Sequence, residues 1–273
     1  MGLPCFFKDK SAKIIGGILL NIKDEAKSIQ SQIVKWRRDL HSIPEIGFEL
    51  SDTTKYICKV LEYLGIEYKK IANNTGIVAI IKGSNEEKVI ALRTDMDAIK
   101  IKEETGLPFA SVNSNMHACG HDAHVAMMLG AAKILNEAKS SLKGSIKLIF
   151  QPDEEGANGA KLMIKDGVLE NPKVNVILGL HIGQISKEVG CGYIGVRIGD
   201  LMASNDKFKI VVTGKGCHGA MPDTGVDSIL TASHIVVGLQ SIVSRELNPI
   251  SSAVITVGKF SSGTQYKDRK SVV

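Results

Sequence analysis

The spacing of apolar and polar positions changes several times along the chain, and each change marks an element. Residues 23–41 set apolar side chains at helical spacing among charged ones and stop ahead of Pro44, which predicts a first amphipathic helix. Residues 51–65 repeat that periodicity, with Ser51 placed to cap the helix and Gly65 to end it. Two strand-like runs follow, at 67–72 and 76–82. Three short apolar runs come next, VIALRTD (89–95), SIKLIFQP (145–152) and VNVILGLH (174–181), with helical segments between them at about 122–139 and 158–169. Strands alternating with helices predict an α/β domain whose parallel or mostly parallel sheet is flanked by helices.

After residue 204 the pattern is of another kind. Residues 206–216 alternate like a half-exposed strand, 227–246 read as a long amphipathic helix, and 251–263 as another strand. This strand–helix–strand unit predicts a small α+β domain over 205–273, following a larger domain over 21–204. The chain has no internal repeat and no low-complexity segment.

Composition narrows the functional classes. The 273 residues are 44% hydrophobic and 23% charged, as in ordinary soluble domains. The net charge of +5 is scattered and forms no basic block with interleaved aromatics, so nucleic acid is not an expected partner. The early apolar run at 14–20 is too short to span a bilayer, so no membrane association is expected. Five widely spaced cysteines make a poor disulfide framework and point to a reducing, cytoplasmic location.

The candidate chemistry sits where the strand-like runs end. The first run ends in Asp95 and Asp97, the second in Glu154 and Glu155, and the third in His181. In open α/β sheets, ligands bind outside the carboxyl ends of the strands. The segment NMHACGHDAH adds His117, Cys119, His121 and His124 just before a helix, in a chain with only seven histidines. A thiolate, imidazoles and carboxylates together suit a pair of divalent ions. Zinc fits best, and manganese, cobalt and nickel are compatible. A further carboxylate beside such a centre can act as base toward water, which is the machinery of amide hydrolysis.

WRRDLHSIPEIGFE, LRTDMDAIKI, MHACGHDAH, FQPDEEGANGAKLMI, GLHIG, IGVRIGDLMAS and GKGCHGAMPDTGVD together resemble the aminoacylase/carboxypeptidase-like dinuclear metal amidohydrolases. The nearest branch holds the N-acyl-amino-acid amidohydrolases, hippurate hydrolases and auxin-conjugate hydrolases. The resemblance runs over about residues 21–264 and agrees in motif order and spacing. It implies that Cys119 bridges two metal ions, that His121 serves one of them, and that Glu155 and His181 serve the other. It further implies Glu154 as general base, Asp97 as a carboxylate that orients a ligand, and His218 as the lid-domain histidine that binds substrate or steadies the oxyanion. His117 and His124 are read as shaping the loop and the start of its helix.

The implied reaction is cleavage of the amide bond of N-acyl-amino acids or small acylated peptides by a metal-bound hydroxide. The implied assembly is a homodimer through the lid. N-acetyl-diaminopimelate deacetylation is the alternative within the family.

In that family the chain returns from the lid to the catalytic domain and brings one more histidine ligand. Here the match ends near Thr264, QYKDRKSVV departs from the pattern, and no histidine follows His234. The expectation is a C-terminally truncated copy, and the alternative function is that of a catalytically incomplete fragment. Relatives of this branch begin near NIKDEA, so residues 1–20 are expected to be a non-native extension.

Overall fold

The segment 23–41 forms two helices, α1 (Ile22–Ser28) and α2 (Gln30–His41), with the break at Ile29. Helix α2 buries Trp36 and Leu40, four apart on one face, together with His41. Helix α3 (Ser51–Tyr63) buries Thr53, Thr54, Ile57, Cys58, Val60 and Leu61. Its start differs from the expected cap. Ser51 is already helical, Leu50 holds the cap position, and the Glu45 carboxylate accepts the amides of Asp52 and Thr53 at 3.2 and 2.8 Å. A carboxylate on these orphan donors does the work a serine was expected to do.

The computed structural model describes residues 13–15, 18–84, 88–183, 189–263 and 271–272. It divides into two compact units, Met1–Arg197 and Ile198–Val273. Most of the expected extension 1–20 lies outside the described residues. Within it Lys13–Ile15 (β1) pairs antiparallel with Ile18–Leu20 (β2).

The first unit is built on β3 (Glu67–Ile71), β4 (Gly76–Ile81), β5 (Val89–Asp95), β6 (Ser145–Gln151) and β7 (Val176–Gly179), in the order β3-β4-β6-β5-β7. Strands β6, β5 and β7 are parallel to one another, whereas β3–β4 and β4–β6 are antiparallel. The sheet is therefore mixed rather than mostly parallel. Only the turn α4 (Ala72–Thr75) joins β3 to β4, and a link that short cannot carry the crossover a parallel pair needs.

Period-two alternation sorts the core onto two faces. Ile77, Ala79 and Ile81 of β4 and Leu148 and Phe150 of β6 pack with Trp36, Leu40, Ile57 and Leu61, together with Leu129 from α5 (His121–Glu137). Val78, Ala91 and Ile149 face the other way, against Met163 of α6 (Gly159–Lys165) and Val168.

In the second unit, α7 (Ser228–Ser241) matches the expected helix. Asp227 caps it by accepting the amides of Ile229 and Leu230, both at 3.0 Å. The expected strands over 206–216 and 251–263 shrink, among the described residues, to β8 (Val212–Thr213), which pairs with β9 (Ser271–Val272). An alternating segment becomes a strand only where a partner accepts its ladder bonds, and the sequence pattern does not reveal the partner.

Candidate metal centre

Because β5, β6 and β7 are parallel, their carboxyl ends lie at one edge of the sheet, and the chemistry-bearing residues collect there. Asp95 ends β5 and Asp97 follows it. Glu154 and Glu155 follow β6, and His181 follows β7. His121 opens α5 from Gly120, whose φ of +85° is readily adopted only by glycine. A Cβ there would also come within 2.6 Å of Ile182 Cδ1, so the Cys119–Gly120–His121 turn is shaped against the segment that carries His181.

Cys119 Sγ lies 3.4 Å from His181 Nε2, and one donor atom from each of Cys119, His121 and His181 falls within 4.8 Å of the others. His121 donates from Nδ1 to the Asp97 carbonyl at 2.8 Å, which leaves Nε2 to face the centre. That nitrogen is fully buried and has no hydrogen-bond partner among the described residues. It lies 3.8 Å from Asp95 Oδ2, 3.8 Å from Glu154 Oε2 and 4.0 Å from Glu155 Oε1. A buried ring nitrogen left unpaired costs about 1–3 kcal/mol. A thiol, a second imidazole and carboxylates around it make the donor set of a divalent cation. His181 is similarly set, donating from Nδ1 to the Ile182 carbonyl at 2.6 Å and turning Nε2 toward Cys119. Donor atoms of His121, Glu154 and Glu155 form a second group within the same span, as do those of Asp95, His121 and His124, so His121 is common to all three groups.

The two glutamates are placed by their backbone. The Asp97 carboxylate accepts the amide of Glu154 on one oxygen and that of Glu155 on the other, each at 3.1 Å. The Asp153 carbonyl accepts the amides of Asn158 and Gly159 at 3.3 and 3.2 Å, which closes the turn. Glycine at 159 is required, since a Cβ would sit 1.6 Å from the Pro152 carbonyl oxygen. Non-glycine residues Asp153 and Ala157 hold positive φ on either side of the pair, local strain of the kind that gathers at functional sites.

Charge around the centre shifts its titrating groups. Burial and the neighbouring carboxylates of Glu155 and Asp95 raise the Glu154 carboxyl, against the pull of His121, and so favour a proton on it. Burial and the adjoining Glu155, Glu154 and Asp95 push the Cys119 thiol up to about 12 in the metal-free chain. Burial works against charge on His121, but its bond to Asp97 and the carboxylates of Asp95, Asp97 and Glu154 prevail and raise it.

His117 and His124 do not join this set. Both His124 nitrogens are engaged, Nδ1 with Asp95 Oδ1 at 2.6 Å and Nε2 with the Ile182 amide at 2.9 Å. His117 is buried, neither ring nitrogen has a partner among the described residues, and burial depresses it to about 4. Asp95 is spent on His124 and on Arg93, whose Nη1 donates to Oδ2 at 2.9 Å.

Sequence reasoning missed Arg93 and His41. Arg93, Asp95 and Asp97 share a period of two, a signal that would have placed the arginine beside the carboxylates. His41 of α2 lies between Asp122 Oδ2 at 2.8 Å and Glu103 Oε1 at 3.2 Å, behind the start of α5. Contacts across such separations leave no mark in local spacing. His218 belongs to the second unit, where its Nδ1 accepts the amide of Ala220 at 3.1 Å.

The matches to known proteins agree with this geometry. The model of peptidase family M20/M25/M40 fits residues 91–267. The chain is 44% identical over 257 residues to an N-acetyl-L-cysteine deacetylase of Bacillus subtilis (strain 168), covering 92% of this chain and 61% of that protein. It is 43% identical over 228 residues to the IAA-amino acid hydrolase ILR1-like 4 of Arabidopsis thaliana, covering 83% of this chain and 50% of that one. Among solved structures it matches the Bacillus subtilis YXEP protein, described as a dinuclear metal binding peptidase, with a TM-score of 0.69 and 37% identity over 90% of this chain and 63% of that one. The chain spans less than two thirds of the length of each of these proteins. The motifs, the sheet edge on which they converge and these matches together establish that the chain belongs to peptidase family M20/M25/M40.

Proposed function

We propose that this chain carries the metal-binding catalytic half-site of an amidohydrolase that releases amino acids from their N-acyl derivatives. The observation that carries the proposal is the buried, unpartnered His121 Nε2, with Cys119, His181, Glu154 and Glu155 gathered round it. Cys119, His121, His181 and Glu155 would together hold two divalent ions, the number that the description of YXEP gives for that protein. Bound there, the ions would supply Lewis-acid chemistry, activating water and polarising the acyl oxygen.

The chain's own residues supply the proton transfers. Glu154, 38% exposed at its side chain, takes a proton from water and delivers it to the departing amino-acid nitrogen. Asp97 keeps the Glu154 carboxylate in register by gripping two consecutive amides. His218 is assigned to substrate or oxyanion binding, and the second unit to homodimer formation. Small-molecule N-acyl amino acids are the substrates, in the cytoplasm. Among the described residues no helix is long and apolar enough to cross a membrane. The names of the matched relatives direct the choice of acyl group to acetyl and indole-acetyl first.

The test is amino-acid release from N-acetylcysteine, indole-acetyl-alanine, hippurate and N-acetyl-diaminopimelate by chain loaded with zinc, manganese, cobalt or nickel. Turnover should fall about 10²–10⁴-fold in Glu154→Gln while metal content stays the same. Metal binding without hydrolysis of any substrate would replace this reading with that of a catalytically incomplete fragment. Undiminished turnover by Glu154→Gln would remove Glu154 as the base.

A further inference from the structure

His124 lies one helical turn after His121 and beside the same centre, yet both of its nitrogens are already engaged. An amide can only donate, so the Ile182 N–H fixes Nε2 of His124 as an acceptor. Nδ1 therefore carries the proton and donates to Asp95. Asp95 is held from its other oxygen by Arg93 Nη1 at 2.9 Å, and Arg93 Nε donates to Gln151 Oε1 at 2.9 Å. The chain of bonds runs from β6 through β5 and α5 to the backbone just after β7. Its last member, Ile182, is the neighbour of His181 and accepts on its carbonyl the Nδ1 proton of that histidine. The rings of His124 and His181 also meet edge to face, with centroids 4.6 Å apart.

We propose that Asp95 and His124 are positioning residues for His181, holding the Ile182 backbone so that His181 Nε2 points at Cys119 and His121. The proposal rests on the metal reading given above and adds to it a role for two residues that are not ligands. The need for such a device is visible in the fold. His181 lies beyond the end of the short edge strand β7, paired on one side only by β5, and is itself exposed. A ligand on so lightly held a segment keeps a fixed orientation only if a buried group grips the backbone beside it, and outer partners of this kind typically alter metal affinity 10- to 100-fold.

The experiment is a cobalt(II) titration of the 273-residue chain, following the thiolate-to-cobalt absorption band and the heat of binding, with a melting curve for each variant. His124→Leu removes both bonds and should weaken cobalt binding about 10- to 100-fold, with a lower melting temperature from the unpaired Asp95 oxygen and Ile182 amide. His124→Gln keeps a group able to accept from Ile182 and should recover most of that loss. Asp95→Asn should fall between them, and it decides the matter if His124→Leu does not fold. Equal affinity in His124→Leu and wild type would overturn the relay while leaving the metal centre in place. Equal weakening by Leu and Gln would assign His124 a packing role only. Absence of cobalt binding by wild type would overturn the metal reading itself, and the relay with it.

Discussion

Strand β6 leads to a polar cluster near each end, and the two are treated in opposite ways. Toward its start, the ammonium of Lys147, 1% exposed, donates to the carbonyls of Val168, Glu170 and Pro172 at 2.9, 2.9 and 2.8 Å. Three donors meet three acceptors, so the charge is fully satisfied and stitches the segment after α6 to the sheet, although burial still lowers its pKa. Past its other end lie Glu154 and Glu155 with the buried, unpaired nitrogen of His121 facing them. The first cluster is finished by the fold itself. The second is left open around one buried nitrogen, and an unpaired buried group of this kind calls for an explanation such as a bound ion. Neither burial nor unmet bonding capacity alone marks a functional site, as His117 shows with both nitrogens unpaired; several donors converging on one unpaired group do.

Variants at the two ends should separate along that line. The largest effect is expected for Cys119→Ala, which removes the proposed thiolate ligand from the open cluster. Metal affinity should drop by more than about 100-fold, while the metal-free chain keeps its stability to within about 1 kcal/mol. Titration with zinc and a melting curve check both halves, and a large loss of metal-free stability would break the contrast.

Next comes Lys147→Met, which leaves three carbonyls without their donor. It should cost about 3 kcal/mol in urea unfolding and leave metal affinity unchanged. If it weakened metal binding as Cys119→Ala does, the two ends of β6 would not be independent.

The smallest effect is expected at a third polar cluster, on the outer helices. Tyr56 donates to Asp39 Oδ2 at 2.6 Å and Lys35 reaches the same oxygen at 2.6 Å. Burial opposes ionisation of Asp39, but these two bonds outweigh it and hold its carboxyl below the usual range. A depressed carboxylate contributes stability that is present above its unfolded pKa of about 3.9 and is lost as pH falls through the folded value. Tyr56→Phe should therefore cost no more than about 1 kcal/mol at pH 7, because the site is partly solvated. The difference from wild type should shrink once the pH falls below the folded pKa of Asp39. Urea melts at several pH values measure it, and a difference that grew on acidification would contradict the assignment.

Much of this was legible beforehand, and the reasons can be given residue by residue. The runs at 76–82 and 145–152 announced strands, and in the structure Ile77, Val78, Ala79, Leu148, Ile149 and Phe150 fill both faces. Ending each apolar run in Asp95, Glu154 or His181 announced a shared edge, which parallel β5, β6 and β7 deliver. What failed depended on partners. The antiparallel hairpin of β3 and β4 follows from the brevity of the link between them. The strands expected over 206–216 and 251–263 had the right alternation, but only Val212–Thr213 acquires a ladder among the described residues.

By itself the sequence determined the α/β class of the first unit, the identity of the metal-competent donors and their order along the chain. Periodicity and residue chemistry are local properties, and they survive without any knowledge of contacts. The resemblance already named His121 over His124 as the ligand, but only the tertiary structure shows what each of the two rings bonds to. His121 and His124 lie three positions apart and differ in nothing a spacing rule can read. One bonds the Asp97 carbonyl through Nδ1 and keeps Nε2 free, while the other spends both nitrogens on Asp95 and Ile182, 29 and 58 residues away. Those bonds exist because β5, α5 and the end of β7 meet in space. A hydrogen bond selects by distance and direction, which chain spacing does not carry.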